Sequence, residues 1–370
     1  MKKSLKDLIA ELCPDGVEFK KLIEIAEVKR GIRVVRSQLS ENGKYAVYQN
    51  SMTPLGYYDK FNCSANTTFV ISAGAAGEIG YSYEDFWAAD DCLCIKCDEK
   101  LNSRFLYFYL LCQQNFIYKN VRRASIPRLS KEVIQNLKIP VPPLPVQNEI
   151  VRILDIFTKL ISTLEEELTA RKKQYEYYRD LLLTPKENYE IKTLGEICEI
   201  SAGGDVPKDK FSKNKDSKYN IPVVSNGVGN NSILGFTDIV KISKPAVTVA
   251  ARGTIGWTEY RNYPYFPVVR LLTIIPIDSN FLNTKFLYYC LQGKKYNLPT
   301  SGIPQLTIPK ISNAEIPIPP LAEQERIAGI LDKFDKLCND LCEGIPAEIE
   351  ARKKQYEYYR DLLLTFEEAK

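Results

Sequence analysis

Two clusters of residues in this sequence have types and spacing that could support metal or nuclease chemistry. Cys92, Cys94 and Cys97 stand close together in CLCIKC, as metal-binding thiolates do. Asp15 and Glu18 lie in PDGVEFK, which contains the letters of a nuclease metal motif. These two acids are too close in sequence to come from two strands of a metal site. A second copy of the cysteine segment, RLLTIIPI (270–277), has Leu and Ile instead, so we predict that the cysteines are small apolar residues on a strand.

Other catalytic signals are absent from the sequence. The chain has no histidine, which removes the commonest general base and the commonest zinc ligand. It also lacks the G-x-x-x-x-G-K-[ST] loop that cradles phosphates. We therefore predict no catalytic residue and no metal ligand in this chain.

The composition is that of an ordinary soluble globular protein, with 45% hydrophobic and 26% charged residues. No apolar run reaches the roughly 18 residues of a membrane span, and the N-terminal residues lack a continuous apolar signal region. We expect a cytoplasmic protein whose ten cysteines are free thiols in a reducing compartment.

The chain is a tandem repeat of two similar halves. ARKKQYEYYRDLLLT (170–184) recurs without substitution at 351–365, and ISAGAAGEIGY (71–81) is similar to VTVAARGTIGW (247–257). A period of roughly 180 residues indicates two complete copies of a domain rather than a solenoid. Exposed helix positions tolerate many residues at little energetic cost. Identity at such positions therefore indicates either a shared partner surface or recent exchange of DNA sequence between the copies.

Two long helices are predicted at 145–184 and 322–370. Apolar residues recur in them with the alternating spacing of four and three residues that is typical of a coiled coil. In the second helix, four extra residues around CEGIP predict a stutter or, through Gly344 and Pro346, a break. We predict that the two helices pack antiparallel on each other; the alternative is that each docks independently on its own domain.

The remaining segments, 1–144 and 185–321, alternate short strands with glycine turns and contain one clear helix each. The predicted fold class is α+β: two globular domains joined by two long helices packed as an antiparallel coiled coil, in a pseudo-twofold tandem repeat. The two globular segments carry net charges of +4 and +5, and the helical segments −1 and −4. Basic domains favour a polyanionic partner.

This organisation resembles the specificity subunit of type I restriction-modification systems. The resemblance is carried by IPVPPLPVQNEIVRILD and IPIPPLAEQERIAGILD, each followed by the repeated helix segment. It implies two target-recognition domains, each reading one half of a split site on double-stranded DNA. It also implies that the helices set the spacing between the half-sites and bind two modification (methyltransferase) subunits.

The same resemblance implies a chain that is not an enzyme by itself and holds no cofactor. S-adenosylmethionine, ATP and Mg²⁺ are expected on the modification subunits and on the restriction subunits, which translocate and cleave DNA. The alternative function is a protein-binding scaffold with two basic interaction domains and no DNA specificity.

Candidate DNA contacts are Arg, Lys, Asn and Gln residues in predicted loops, because Arg and Asn can make bidentate contacts with guanine and adenine. They are Arg30, Arg33, Arg36, Gln49, Asn50, Arg122, Arg123, Arg128, Lys208, Lys210, Asn226, Arg252, Lys294, Lys295 and Gln305. Candidate partner contacts are the polar residues of the repeated segment: Arg171, Lys172, Lys173, Gln174, Arg352, Lys353, Lys354 and Gln355.

Overall fold

The computed structural model describes residues 4–40, 42–296, 304–340 and 342–369. These residues form two compact units. The first unit combines the chain up to Glu165 with the segment from Glu348 onward, and the second comprises Glu166–Ala347. The predicted globular domains, 1–144 and 185–321, each lie within one unit. The two helical segments, 145–184 and 322–370, are instead each divided between the units.

The first unit contains three small sheets among its described residues. Their strand orders are β2-β8-β5-β6, β4-β3-β7 and the pair β1-β9. The elements are α1 (Leu5–Leu12), β1 (Phe19–Lys21), α2 (Leu22–Ile25), β2 (Ala26–Arg30), β3 (Tyr45–Tyr48), β4 (Gly56–Tyr58), β5 (Thr67–Ile71), β6 (Ile79–Ser82), β7 (Trp87–Ala88), β8 (Cys92–Cys97), α3 (Ser103–Cys112), α4 (Gln114–Lys119), α5 (Lys131–Gln135), β9 (Lys138–Pro140) and the first part of α6 (Leu144–Leu183).

The second unit repeats this topology. Its described sheets have the orders β11-β17-β14-β15, β13-β12-β16 and β10-β18, and β12 pairs with β16 in parallel as β3 does with β7. The elements are β10 (Glu190–Thr193), α7 (Leu194–Ile197), β11 (Cys198–Ala202), β12 (Ile221–Val224), β13 (Ile233–Thr237), β14 (Ala246–Val249), β15 (Thr258–Arg261), β16 (Phe266–Pro267), β17 (Leu272–Pro276), α8 (Thr284–Leu291), α9 (Ile308–Ser312), β18 (Glu315–Ile318) and α10 (Leu321–Asn339), with α11 (Ile345–Leu363) beginning at its end.

Glycine turns connect β5 to β6 and β14 to β15. Gly74 and Gly77 have positive φ in the first turn, and Gly253 and Gly256 in the second, a conformation that glycine adopts without steric cost. The two G-x-x-G segments, GAAG and GTIG, are therefore equivalent. The match predicted from sequence, 71–81 with 247–257, is wrong by three residues. The hydrogen bonds of the two turns correspond when Ala250, not Val247, is taken as the residue equivalent to Ile71.

The second long helix is broken, as Gly344 and Pro346 allow. Helix α10 ends at Asn339, and α11 begins at Ile345 with Pro346 in its first turn. A Cβ on Gly344 would lie within 2.9 Å of the carbonyl oxygens of Lys336, Leu337 and Asp340, so only glycine fits this connection. No helix in the described part of the chain is long and apolar enough to cross a bilayer.

Antiparallel helix packing is confirmed within each unit. In the first unit, Phe157 of α6 stacks on Tyr359 of α11 with ring centroids 5.5 Å apart, and Glu165 pairs with Lys353 at 2.7 Å. Residue numbers thus rise along one helix as they fall along the other. In the second unit, Tyr178 of α6 stacks on Phe334 of α10 at 5.8 Å.

Each of the two identical segments packs in the unit formed mainly by the other half of the chain. Tyr175, from the first copy, is 6% exposed within the core of the second unit. In the second copy, Tyr356 packs against the core of the first unit, and Leu364 is 4% exposed there. Each globular domain is therefore completed by the repeat segment that follows the other domain in sequence. The inner faces of both copies must fit related but different cores.

Residues 366–369 lie beside Val17 in the first unit. The Val17 N–H donates to the Glu367 carbonyl, and the Ala369 N–H donates to the Val17 carbonyl, each at 2.9 Å. Phe366 packs against the core of the same unit. The C-terminal residues are consequently part of the folded first unit.

The expectation of ten free thiols is wrong at two positions. Cys63 and Cys94 form a disulfide, because the loop before β5 brings Cys63 beside β8. The other eight cysteines are free, and Cys92 is buried on the same strand, as predicted for a small apolar residue. Burial raises the pKa of its thiol.

A buried glutamine joins each recognition domain to its long helix. The Gln147 amide donates to the carbonyls of Lys100 and Pro142 at 2.8 and 2.7 Å and accepts from the Asn102 N–H at 2.8 Å. In the second unit, Gln324 makes the same three bonds with the Phe281 and Pro319 carbonyls and the Asn283 N–H. These are the glutamines of the two proline-rich signatures, and their amides cross-link three chain segments.

The neighbouring asparagines begin the helices of the recognition domains. Asn102 accepts hydrogen bonds from the backbone N–H groups of Arg104 and Phe105, and thereby caps α3. Asn283 caps α8 in the same way. The glutamine therefore holds the residue that starts each helix, which couples helix α3 or α8 to the long helix.

We predict that Gln324→Ala destabilises the second unit by about 1–3 kcal/mol, because buried donors and acceptors lose their partners. Hydrogen–deuterium exchange should show faster exchange at 283–291 and 321–331. The exposed neighbour Glu325→Ala is the control and should change stability by less than about 0.5 kcal/mol. Equal effects of the two substitutions would contradict the role assigned to Gln324.

Candidate nucleic-acid interface

Three loops of the second unit meet around Asn226. Its side-chain oxygen accepts from the Ala251 N–H at 2.8 Å, and its amide nitrogen donates to the Val269 carbonyl at 2.7 Å. The Thr254 hydroxyl donates to the Asn226 carbonyl at 2.8 Å. The predicted contact Asn226 is thus a positioning residue, because its side chain is occupied in holding the loops together.

Arg252 and Gln305 present polar groups beside this frame. The Arg252 guanidinium donates to the Gln305 side-chain oxygen at 2.9 Å, and Arg252 is exposed. These two predicted contacts are brought together by the Leu306 N–H, which donates to the Ala251 carbonyl. An exposed guanidinium oriented by a neighbouring amide is suited to a base edge or a phosphate.

The first unit has an equivalent loop cluster. The Ala75 N–H donates to the Asn50 carbonyl at 2.9 Å. Arg122 and Arg128 exchange backbone hydrogen bonds, and this hairpin approaches the glycine turn through the bond from the Gly74 N–H to the Pro127 carbonyl. Arg122, Arg123, Arg128 and Asn50 are all exposed there. The predicted arginines at 122, 123 and 128 therefore lie in one basic hairpin.

Further predicted contacts lie on short 3-10 helices at equivalent places in the two units. Arg36 begins the helix Arg36–Gln38 after β2, and Lys208 begins Lys208–Lys210 after β11. All of these cations are exposed, including Lys210. Arg30 at the end of β2 and Arg33 beyond it are exposed as well. Sequence reasoning thus selected matching positions in both halves without the structural alignment.

Two predicted contacts are less accessible. The Lys294 ammonium donates to the Glu315 carbonyl at 2.6 Å, and burial lowers its pKa. This contact fastens the loop after α8 to the end of the domain. Gln49 is half-buried beside Asn50, whereas Lys295 is exposed. Among the described residues, no group of three or more Cys, Asp or Glu residues is arranged to hold a metal ion.

Comparison with known proteins identifies the repeated unit. The family model of the type I restriction modification DNA specificity domain matches twice, at residues 14–171 and 186–351. The chain belongs to this family. A Mycoplasma pneumoniae protein named as a type I specificity subunit is 35% identical over 353 residues, covering 93% of this chain and 96% of that protein.

Two further proteins support this assignment. The EcoR124I/EcoR124II specificity subunit of Escherichia coli is 31% identical over 356 residues, covering 88% of this chain and 83% of that subunit. The crystal structure of the S subunit from M. genitalium has the same fold, with a TM-score of 0.66 at 17% identity, covering 94% of this chain and 96% of that one. The chain is a DNA-specificity subunit, and subunits of this family are not catalytic.

The repeated segment of this specificity subunit uses part of its polar surface internally. The Arg171 guanidinium donates to the Gln174 side-chain oxygen at 2.9 Å, and Arg352 donates to Gln355 at 2.8 Å. Lys353 and Lys354 form ion pairs within the first unit. Lys172 and Lys173 are exposed. The arginine and glutamine of each copy therefore brace the helix, while the lysines remain accessible.

Sequence reasoning missed an exposed apolar stripe on the same segment. Tyr177 and Tyr358 are each 64% exposed, and Leu181 and Leu362 are 53% and 55% exposed. We call these four residues the duplicated stripe. Tyr177 lies next to Tyr178, which packs against α10, so Tyr177 lies outside the packed face of the helix. An aromatic residue at such a position was the sequence signal that could have identified this stripe. Because the same apolar groups are exposed at equivalent positions of both copies, the duplicated stripe is a candidate surface for protein partners.

Proposed function

We propose that this chain recognises a split DNA sequence for a type I restriction-modification complex, with each unit reading one half. The observation that carries the proposal is the pair of equivalent loop clusters, held by the same backbone frame and bearing different exposed side chains. The loops around Asn226 carry Arg252 and Gln305, whereas the loops around Asn50 include the arginine hairpin. Two similar surfaces with different side chains suit two different half-sites.

The chemistry belongs to other subunits in this proposal. Modification subunits would bind S-adenosylmethionine for adenine methylation, and restriction subunits would use ATP and Mg²⁺ for translocation and cleavage. This chain would supply neither cofactors nor catalytic groups. The cytoplasm is the proposed location, because there the complex meets its DNA substrate.

The duplicated stripe is the proposed docking surface for two modification subunits. Each copy of the repeated segment buries one face in a unit and leaves Tyr and Leu side chains in solvent to nearly the same degree. A partner that binds both copies meets the same exposed chemistry twice. In this proposal the exposed face of each copy must bind a partner, and the buried face must pack in a unit. The two requirements together help to explain the identical sequence.

The helices that join the two units are proposed to set the spacing of the half-sites. Only two connections cross from one unit to the other, at Glu165–Glu166 in α6 and at Ala347–Glu348 in α11. Their length then determines how many unspecified bases lie between the recognised bases.

Binding to duplex DNA should weaken at least about tenfold between about 50 and about 200 mM salt, because phosphate contacts release counterions. Substituting Arg122, Arg123 and Arg128 together by alanine should reduce the slope of log affinity against log salt. The matched control replaces Lys6, Lys21 and Lys138, which are exposed near the chain termini of the same unit. Fluorescence anisotropy would measure the affinity of the wild type and of the two variants at each salt concentration. DNA binding that is absent or independent of salt would favour the alternative function, a protein-binding scaffold.

Tyr177→Ala with Leu181→Ala should remove one of two bound modification subunits, and adding Tyr358→Ala with Leu362→Ala should remove both. The physical reason is the loss of apolar area that the partner buries. Native mass spectrometry of the purified complex measures the count. Lys172→Ala with Lys173→Ala tests the charged surface separately. If only the lysine variant loses a subunit, the stripe is not the docking surface.

Inserting four helical residues after Glu165, with a matching insertion beside Ala347, should add about 6 Å to each connection. Since base pairs are spaced by about 3.4 Å, the methylated motif should gain one or two unspecified central bases. Both recognised halves should stay the same. Sequencing of methylated bases in cells would measure this, and an active variant with unchanged spacing would exclude the helices as the ruler.

A further inference from the structure

The turn between β16 and β17 has an unusual backbone. Val269 and Arg270 are consecutive non-glycine residues with φ of 54° and 58°. Side chains rarely adopt this left-handed conformation, and a β-branched residue such as Val does so least readily. Such a conformation costs free energy and persists only where the surrounding structure enforces it.

Hydrogen bonds from three sides enforce this turn. The Val269 N–H donates to the Gly204 carbonyl at 2.8 Å, and the Arg270 N–H donates to the Gly203 carbonyl at 2.9 Å. The Asn226 amide donates to the Val269 carbonyl at 2.7 Å. The same Asn226 holds the loop that carries Arg252, so the turn belongs to the loop cluster of the second unit.

The strained turn carries its side chains into solvent. Val269 is 45% exposed, and Arg270 is exposed as well. The Arg270 side chain has no hydrogen bond or ion pair with any other described residue. The strain therefore does not position Arg270 for a contact within the described part of its own unit. Its guanidinium is available to an external ligand.

The equivalent turn of the first unit keeps two flanking hydrogen bonds and carries the opposite charge. The Ala89 N–H donates to the Tyr48 carbonyl and the Gly31 N–H donates to the Cys92 carbonyl, as the Val268 and Gly203 N–H groups do to the Val224 and Leu271 carbonyls. Between these matched bonds, the first unit has Asp90 and Asp91 where the second has Val269 and Arg270.

Side chains and backbone conformation at this turn therefore differ between the units, while the two flanking hydrogen bonds are kept. Asp90 and Asp91 are not among the described non-glycine residues with positive φ. Packing requirements act on the shared frame, and they do not require a change from two carboxylates to an exposed guanidinium. Asp90 and Asp91 are half-buried, whereas Arg270 is exposed, so the two turns present different groups to solvent. Such a difference matches what two domains that read different bases require.

We propose that Arg270 is a specificity-determining residue of the second unit and reads a guanine in the major groove. Its guanidinium would donate two parallel hydrogen bonds, to N7 and O6 of the base. The exposed Val269 side chain beside it supplies apolar contact of the kind that a thymine methyl group accepts. This inference rests on the proposed function, since it assigns one base contact to the DNA-reading surface of the second unit.

The test uses the full chain assembled with its modification subunits. Methylated motifs are determined by sequencing for the wild type, Arg270→Ala and Arg270→Lys, and duplex binding is measured on the wild-type site and on sites substituted at each guanine of the second half. Arg270→Ala should lower the preference for one guanine by about 10- to 100-fold and leave the first half unchanged. Arg270→Lys should keep most of the affinity but lose that preference, because lysine lacks the bidentate fork.

Three outcomes overturn the assignment. Unchanged motifs and affinities in both variants would show that Arg270 does not contact DNA. Equal weakening on all sequences, rescued by lysine, would assign Arg270 to a phosphate. A change in the first half alone would place Arg270 on the wrong half-site.

Matched controls separate this inference from folding and from the proposed function. Lys244→Ala removes another exposed cation of the same unit and should leave the motif unchanged. Thermal unfolding shows whether Arg270→Ala folds; if it does not, Arg270→Lys decides. A wild-type complex that methylates no split motif contradicts the proposed function itself, whereas a normal wild-type motif that is unaltered in the Arg270 variants contradicts only the present assignment.

Discussion

The architecture depends on the buried glutamine amides of Gln147 and Gln324. Each amide satisfies one carbonyl and one N–H from a loop 41 to 47 residues earlier in the chain, and one carbonyl from the adjacent hinge, in a place where unpaired polar groups would be costly. The bonded segments are the loop that starts α3 or α8 and the proline-rich hinge that starts α6 or α10. One side chain thus fixes the direction in which the long helix leaves each recognition domain. The ion pairs Arg104–Asp155 and Lys285–Asp332 reinforce the same junctions about two helical turns further along.

The exchanged packing of the repeat follows from this direction. Helix α6 leaves the first domain at Gln147 and ends in the second unit, where Tyr175 joins the core. The chain then returns through α10 and α11, and Tyr356 joins the core of the first unit. Each copy of the segment must fit a domain that it does not follow in sequence. Packing therefore constrains its buried face alike in the two copies, while its exposed Tyr and Leu remain in solvent.

The recognition surfaces separate support from readout. Equivalent backbone hydrogen bonds, glycine turns and asparagines at 50 and 226 hold the loops in both units. The side chains on this support differ: Arg128 of the first unit stands at the position of Gln305 in the second, and Asp91 at the position of Arg270. Hydrogen bonds between backbone groups tolerate such changes, because every residue except proline has the same N–H and C=O groups whatever its side chain. This arrangement lets each unit specify its own bases on a common framework.

The sequence by itself determined the tandem repeat, the α+β class and the antiparallel helices, because residue periodicity acts locally. It left open a stutter or a break at Gly344 and Pro346, and the structure shows the break. It also selected Arg36 and Lys208 at equivalent positions. Only the tertiary structure decided that each repeat segment completes the other domain, that Cys63 bonds Cys94, that GAAG matches GTIG, and that Lys294 fastens a loop while Arg270 stands free of described partners. These features depend on contacts between residues far apart in the chain and on backbone angles, which no local pattern of residue types records.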